Sequence, residues 1–171
     1  MILPIVLYPD PVLQRPSEPV AEFDDKLRAF VDDMFESMYA AHGIGLAAPQ
    51  VGVSKRITVI DLSFKKTPED KLVLINPEII VREGKQYGEE GCLSLPEIRE
   101  KVHRVAKVRV RAQDARGQWF EKDAEELLSR AFQHEIDHLD GILFISRVSA
   151  LKRDLLLRKI RKMQRDGEWV A

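Results

Sequence analysis

The chain has 171 residues, 32% of them charged and 44% hydrophobic, with a formal net charge of −1. That length allows one domain with a packed core, and the charge balance excludes a general polyanion binder. A single cysteine excludes an internal disulfide framework, and no apolar run approaches the ~18 residues of a membrane-spanning helix.

The apolar start Met1–Leu7 has no basic leader and is interrupted by Pro4, so it reads as structure and not as a signal peptide. Five prolines (Pro4, Pro9, Pro11, Pro16, Pro19) fix φ and remove donors, which predicts an irregular arm lying on the domain. Leu27, Phe30, Val31, Met34, Met38 and Ala41 recur at helical spacing, predicting a helix from Asp24 or Asp25 to Ala41, capped by an aspartate and closed by Gly43. Gly43–Gly52 reads as a glycine-punctuated loop. Its glycines follow a helix, with no lysine-serine/threonine behind them, so it does not read as a phosphate loop.

Strands are predicted at Arg56–Leu62, at Leu72–Asn76 and Ile79–Arg82 on either side of Pro77, and at Val105–Ala112, where apolar and basic residues alternate. Asp114–Gly117 reads as a turn and Gln118–Lys122 as the returning strand. Asp123 and Glu126 form a capping-box pattern opening a helix over 123–140, with apolar contacts from Leu127, Leu128, Ala131 and Ile136, and Gly141 after its end. A last helix is predicted over 150–165, its apolar side formed by Leu151, Leu155, Ile160 and Met163. The expected architecture is α+β: mostly antiparallel sheets, a central helix and a C-terminal helix, within a single catalytic domain spanning 1–171.

The central helix carries His134-Glu135-Ile136-Asp137-His138. Histidines at i and i+4 share one face, so both imidazoles can reach one ion, with a carboxylate beside them for an attacking water. The chain has only four histidines, which makes a chance HExxH a poor explanation. A third ligand must come from Cys92, His42, His103 or a carboxylate. Downstream of His138 there is neither histidine nor cysteine, and the acids Asp140, Asp154, Asp166 and Glu168 are poorly placed, which weakens a protease reading. Cys92, in Glu90-Gly91-Cys92-Leu93-Ser94, can be a ligand, a buried small hydrophobe or a nucleophile. With HExxH present, ligation is the preferred reading. Gln50 offers neutral donors suited to an oxyanion.

Gly43–Gln50 (GIGLAAPQ), Glu90–Ser94 (EGCLS) and Gln133–Gly141 (QHEIDHLDG) together resemble, in order and spacing, the three signature motifs of the peptide deformylases. The resemblance runs from Tyr8-Pro9-Asp10-Pro11 to the helix after Gly141. It implies removal of the formyl group from the N-terminal formylmethionine of new polypeptides. It further implies metal ligation by Cys92, His134 and His138, with Glu135 as general base and acid. The Gln50 side chain and the Leu93 N–H would hold the oxyanion. Ile44, Gly45 and Gly91 would bind the substrate backbone. By position, Gly88, Leu127, Arg130 and Ala131 are expected around the methionine side chain, with Arg130 lending its stem to the wall and its head to solvent. Glu90 and Arg104 are expected to pair behind the Cys92 loop. Asp137 could orient a ligand or face an arginine.

The implied cofactor is one divalent ion, natively Fe(II), with zinc, nickel or cobalt able to replace it. Residues 146–171 carry a net charge of +5 against −6 for the rest. That basic helix could face a partner, and the resemblance suggests the ribosome. Neither DNA nor a membrane is an expected partner, and the expected location is the bacterial cytoplasm. Two rival readings are a different metallohydrolase, such as a peptidase, and a closed structural metal site, which would need a fourth protein ligand.

Overall fold

The computed structural model describes residues 1–171. Its strands are β1 (Gly45–Ala47), β2 (Ile57–Asp61), β3 (Lys71–Glu83), β4 (Gln86–Cys92), β5 (Leu95–Arg104), β6 (Lys107–Gln113) and β7 (Trp119–Glu125), and its helices are α1 (Asp25–Ala40), α2 (Glu126–Leu139) and α3 (Ala150–Arg165). All named strand pairs are antiparallel, in a five-stranded sheet ordered β1-β2-β3-β6-β7 and a separate β4-β5 hairpin. The expected α+β architecture holds.

The large sheet is covered on both faces. Ile57 and Val59 of β2 pack with Leu27, Val31, Met34 and Met38 of α1. Ile60 packs with Leu74, Val110 and the α2 residues Ala131, Phe132 and Ile136 on the other face. This is why β2 is buried throughout while β6 alternates. The hairpin contributes Leu95, Ile98 and Val102 to a third cluster, closed by Val12 and Leu13 of the arm, Leu143–Ile145, and Ile160 and Met163 of α3. Helix α2 therefore lies between the large sheet and the hairpin.

The arm is irregular apart from a 3-10 turn at Pro11–Gln14, and it is tied down by Leu3 N–H to Ser37 Oγ (2.7 Å), Val6 N–H to the Gln50 carbonyl (2.7 Å) and Tyr8 N–H to the Ser94 carbonyl (3.0 Å).

Several expectations need correction. Helix α1 is capped by Asp24, but the left-handed residue after it is His42 (φ 60°), not Gly43. Gly43 is small for a different reason: a Cβ there would lie 2.7 Å from Leu93 Cδ1. The glycine-punctuated loop contains the buried strand β1 and a 3-10 turn at Ala48–Val51. The two strands expected around Pro77 are one strand, β3. A register shift between Ile75 and Glu78 accommodates the proline, and Asn76 (φ 52°) bonds the Val20 backbone through both its side-chain amide atoms. The capping box does not form: Asp123 belongs to β7 and pairs with Arg109, and the strand passes straight into α2. The β4-β5 hairpin was not anticipated. On α3, Leu151 (71% exposed) and Leu155 (56%) face solvent, while Leu156 and Leu157 join Ile160 and Met163 on the packed side.

Candidate metal centre and active-site cleft

Strand β4 ends at Cys92, where the pairing with β5 shifts register, from Gly91 opposite Arg99 to Cys92 opposite Leu95. From α2, His134 and His138 project toward it. One ligand atom from each of the three residues falls within a sphere of contacts no wider than 4.8 Å, and Cys92 Sγ is 3.3 Å from His138 Nε2. Both histidines are buried, with His138 1% exposed. Burial pushes the His138 pKa well down, which keeps that imidazole neutral, as a ligand must be.

His134 is oriented from behind. Its Nδ1 lies 2.8 Å from Glu90 Oε1, and the Glu90 carboxylate also accepts from Arg104 Nε (2.8 Å), Arg104 Nη2 (2.9 Å) and Arg130 Nη1 (2.7 Å). Burial opposes ionisation of Glu90, but the Arg104 and His134 bonds outweigh it and hold its pKa far below the usual carboxylate range. An ionised Glu90 takes a proton-bearing Nδ1 and leaves Nε2 for a ligand role. Asp137 faces two arginines: it accepts from Arg104 Nη1 (2.6 Å) and from Arg147 Nη2 (2.8 Å).

Glu135 is 5% exposed and its Oε1 has no hydrogen-bond partner. Burial raises its pKa to about 7, helped by the Glu90 charge and opposed by His134 and Arg104. A carboxyl that balances near neutrality can both take and return a proton. Gln50, 1% exposed, is fixed by accepting from Ala47 N–H (2.9 Å) while its Nε2 donates to Ser94 Oγ (3.2 Å) and approaches Cys92 Sγ (3.5 Å).

Gln50, Glu90, Cys92, His134 and Glu135 floor an open cleft of about 680 Å³, whose walls include Ile44, Gly45, Gly91, Leu93, Leu127, Arg130 and Ala131. Two placements differ from expectation. Arg130 is only 6% exposed, and its guanidinium turns inward to Gln86, Glu90 and the carbonyls of Gly88 and Val102. Gly88 does not line the cleft; it lies behind Arg130, where a Cβ would come within 3.1 Å of Nη2. The second arginine on Glu90 was missed, although its signal was present. Arg130 is one turn before His134 on the same face, and Gly88 and Glu90 share a face of β4.

A thiol and two buried imidazoles, with the cleft open on the remaining side, fit one divalent transition-metal ion. With the glutamate between those histidines left free to handle a proton, the arrangement belongs to the metal-dependent hydrolases. The comparisons narrow that class. The profile of the polypeptide deformylases matches residues 2–154, and the chain belongs to that family. It is 77% identical over 169 residues to the peptide deformylase of Acidobacterium capsulatum, covering 99% of each. A crystal structure of a peptide deformylase from Legionella pneumophila superposes with a TM-score of 0.91 at 44% identity, covering 98% of each chain. That from Thermus thermophilus gives 0.87 at 44% identity, covering 94% of each. The family's members are hydrolases that remove the N-formyl group from nascent polypeptides, and that activity is this chain's as well.

Proposed function

We propose that the whole chain acts as one catalytic domain in which Cys92, His134 and His138 hold a single divalent ion, natively Fe(II), with zinc, nickel or cobalt able to occupy the same donors. When bound, the ion supplies Lewis-acid chemistry, polarising the formyl carbonyl and making water a competent nucleophile near neutral pH. Glu135 takes the proton of the attacking water on its free Oε1 and returns it to the leaving amine nitrogen. The Gln50 Nε2 and the Leu93 N–H donate to the oxygen on which charge develops. Removing one donor of this kind costs about 10²–10³ in rate. Glu90 and Arg104 hold His134 in its tautomer. The observation that carries the reading is the convergence of three ligand atoms beside a buried carboxyl poised near neutrality.

The substrate backbone runs between Ile44-Gly45 and Gly91, and the methionine side chain packs against Leu127, the Arg130 stem and Ala131, with Gly88 giving Arg130 its room. A formyl carbon carries only hydrogen, so a close-fitting floor admits it and rejects acetyl. The exposed Leu151 and Leu155 on basic α3 support ribosome contact, which would bring the enzyme to nascent chains in a bacterial cytoplasm.

The test is formate release from a formyl-Met-Ala-Ser peptide by anaerobically purified protein of known metal content. Formate in proportion to bound metal, abolished in Glu135→Gln with metal retained, supports the assignment. A folded, fully metallated sample that releases no formate overturns it.

A further inference from the structure

A second cavity, of about 480 Å³, opens beside α2 and shares no lining residue with the catalytic cleft. Its lining is basic: Arg82 and Lys85 from the β3-β4 turn region, Arg104 from β5 and Arg147 before α3, with the His103 ring beside them. The one acidic residue in its wall, Asp137, is already bonded by both Arg104 and Arg147. Arg82 makes a single long contact, 3.5 Å to the Ile79 carbonyl, and Lys85 has no carboxylate partner. Positive charge in this cavity therefore exceeds what the protein itself neutralises.

The floor is built, not incidental. The Arg104 side chain is 4% exposed, and each of its terminal nitrogens makes one hydrogen bond, Nη1 to Asp137 and Nη2 to Glu90. A guanidinium has five N–H donors, so one on each terminal nitrogen is uncommitted. Three guanidinium groups and an ammonium around one space suit a tetrahedral oxyanion with three or four acceptor oxygens better than a two-oxygen carboxylate. Ile79 and Val105 are the only apolar walls, so the cavity offers little to a hydrophobic ligand. Outward of the cavity the His103 ring lies 4.2 Å from that of Tyr87, whose hydroxyl accepts from Lys152 Nζ at 3.0 Å, an ammonium that also pairs with Glu100 at 3.5 Å.

We propose that this cavity is a phosphate-binding site, filled either by free phosphate or by a phosphodiester of a polynucleotide strand. His103 in its wall is the reporter. The metal-loaded protein is titrated with inorganic phosphate at fixed pH and ionic strength while the four histidine rings are followed by NMR. The expected result is a saturable shift of His103, with His42, His134 and His138 unmoved. Arg82→Ala/Lys85→Ala should weaken binding about tenfold or more, each contact to a charged group being worth that much. Its deformylase turnover should be unchanged, which shows that it is folded. Arg158→Ala/Arg161→Ala removes the same charge from α3 and should leave binding intact. A uridine tetranucleotide without terminal phosphates distinguishes the sources: saturable binding at His103 assigns the phosphodiester, and binding of inorganic phosphate alone assigns the free anion. A shift that chloride reproduces without saturation, equal weakening in both double variants, or shifts at His134 and His138 alone would overturn the proposal.

Discussion

Gly45 and Glu135 are complementary: a Cβ on Gly45 would lie 2.5 Å from Glu135 Oε2, inside any permissible contact. The carboxyl stands where it does because β1 carries hydrogen at that point. Gly45→Ala should push Glu135 aside while leaving the strand paired. Displacement of a reacting group by ~1 Å can cost about 10²-fold in rate. We expect a loss of that order in kcat, with metal content and unfolding midpoint close to wild type. Wild-type turnover in Gly45→Ala would show that the carboxyl has room to spare.

Glu90 sits between Arg104 and Arg130, all three buried, with His134 as its third partner. Glu90→Ala leaves two buried guanidinium groups short of their counter-charge. A destabilisation of about 3–5 kcal/mol should follow, measured by urea unfolding. Glu90→Gln keeps the shape and removes the charge. It should fold and lose metal about 10–100-fold more readily to a competing chelator, because the partner that fixes the His134 ring is weakened.

Asp61, 1% exposed, accepts from the Tyr39 hydroxyl, from Ser63 N–H (2.9 Å) and Oγ (2.7 Å), and from Lys65 N–H (3.0 Å). Burial opposes its charge, but these bonds prevail and lower its pKa from 3.8 to about 2. The folded value lies below the unfolded one, so the stabilisation is present above pH ~4 and lost as pH falls toward ~2. Its size is on the order of 1–2 kcal/mol. Asp61→Asn should flatten the pH dependence of unfolding between those limits. An unchanged slope would remove Asp61 from the account of acid sensitivity.

Stripping the metal should lower the thermal midpoint, since an ion held by Cys92, His134 and His138 binds the folded chain in preference to the unfolded one. Calorimetry of stripped and reloaded protein measures the difference, and re-addition should restore it. Identical midpoints would place the donors outside any tight metal site.

The histidine pair was legible in spacing, His134 and His138 lying one turn apart; Cys92 was also readable as a small hydrophobe or a nucleophile, with ligation preferred, and the structure brings the three ligand atoms together. Helices α1 and α3 were legible from periodicity, α3 to the residue. The β4-β5 hairpin was not, because Gly88-Glu89-Glu90-Gly91 has neither β-branched residues nor apolar alternation. The hairpin is held in place by Leu95, Ile98 and Val102 in the third cluster and by the Arg104 and Arg130 bonds to Glu90, and these contacts are tertiary. Pro77 was overread as a break, since a bulge supplies what the missing donor takes away. Arg130 was misread because charge alone argues for solvent, while a buried acid two strand positions from Gly88 argues for the interior.

The N-terminal arm bonds the Gln50 carbonyl through Val6 and the Ser94 carbonyl through Tyr8, and the Tyr8 carbonyl in turn accepts from Trp169 Nε1 at 2.7 Å. Gln50 follows β1 of the large sheet, and Ser94 lies in the turn of the hairpin sheet, beside Cys92. The arm thus behaves as a cross-tie between the two sheets, running beside the direct Gln50–Ser94 side-chain bond and bolted at Tyr8 by Trp169. Residues 161 positions apart meet there, so slack at Trp169 would pass through Tyr8 to the turn that holds Ser94 beside Cys92.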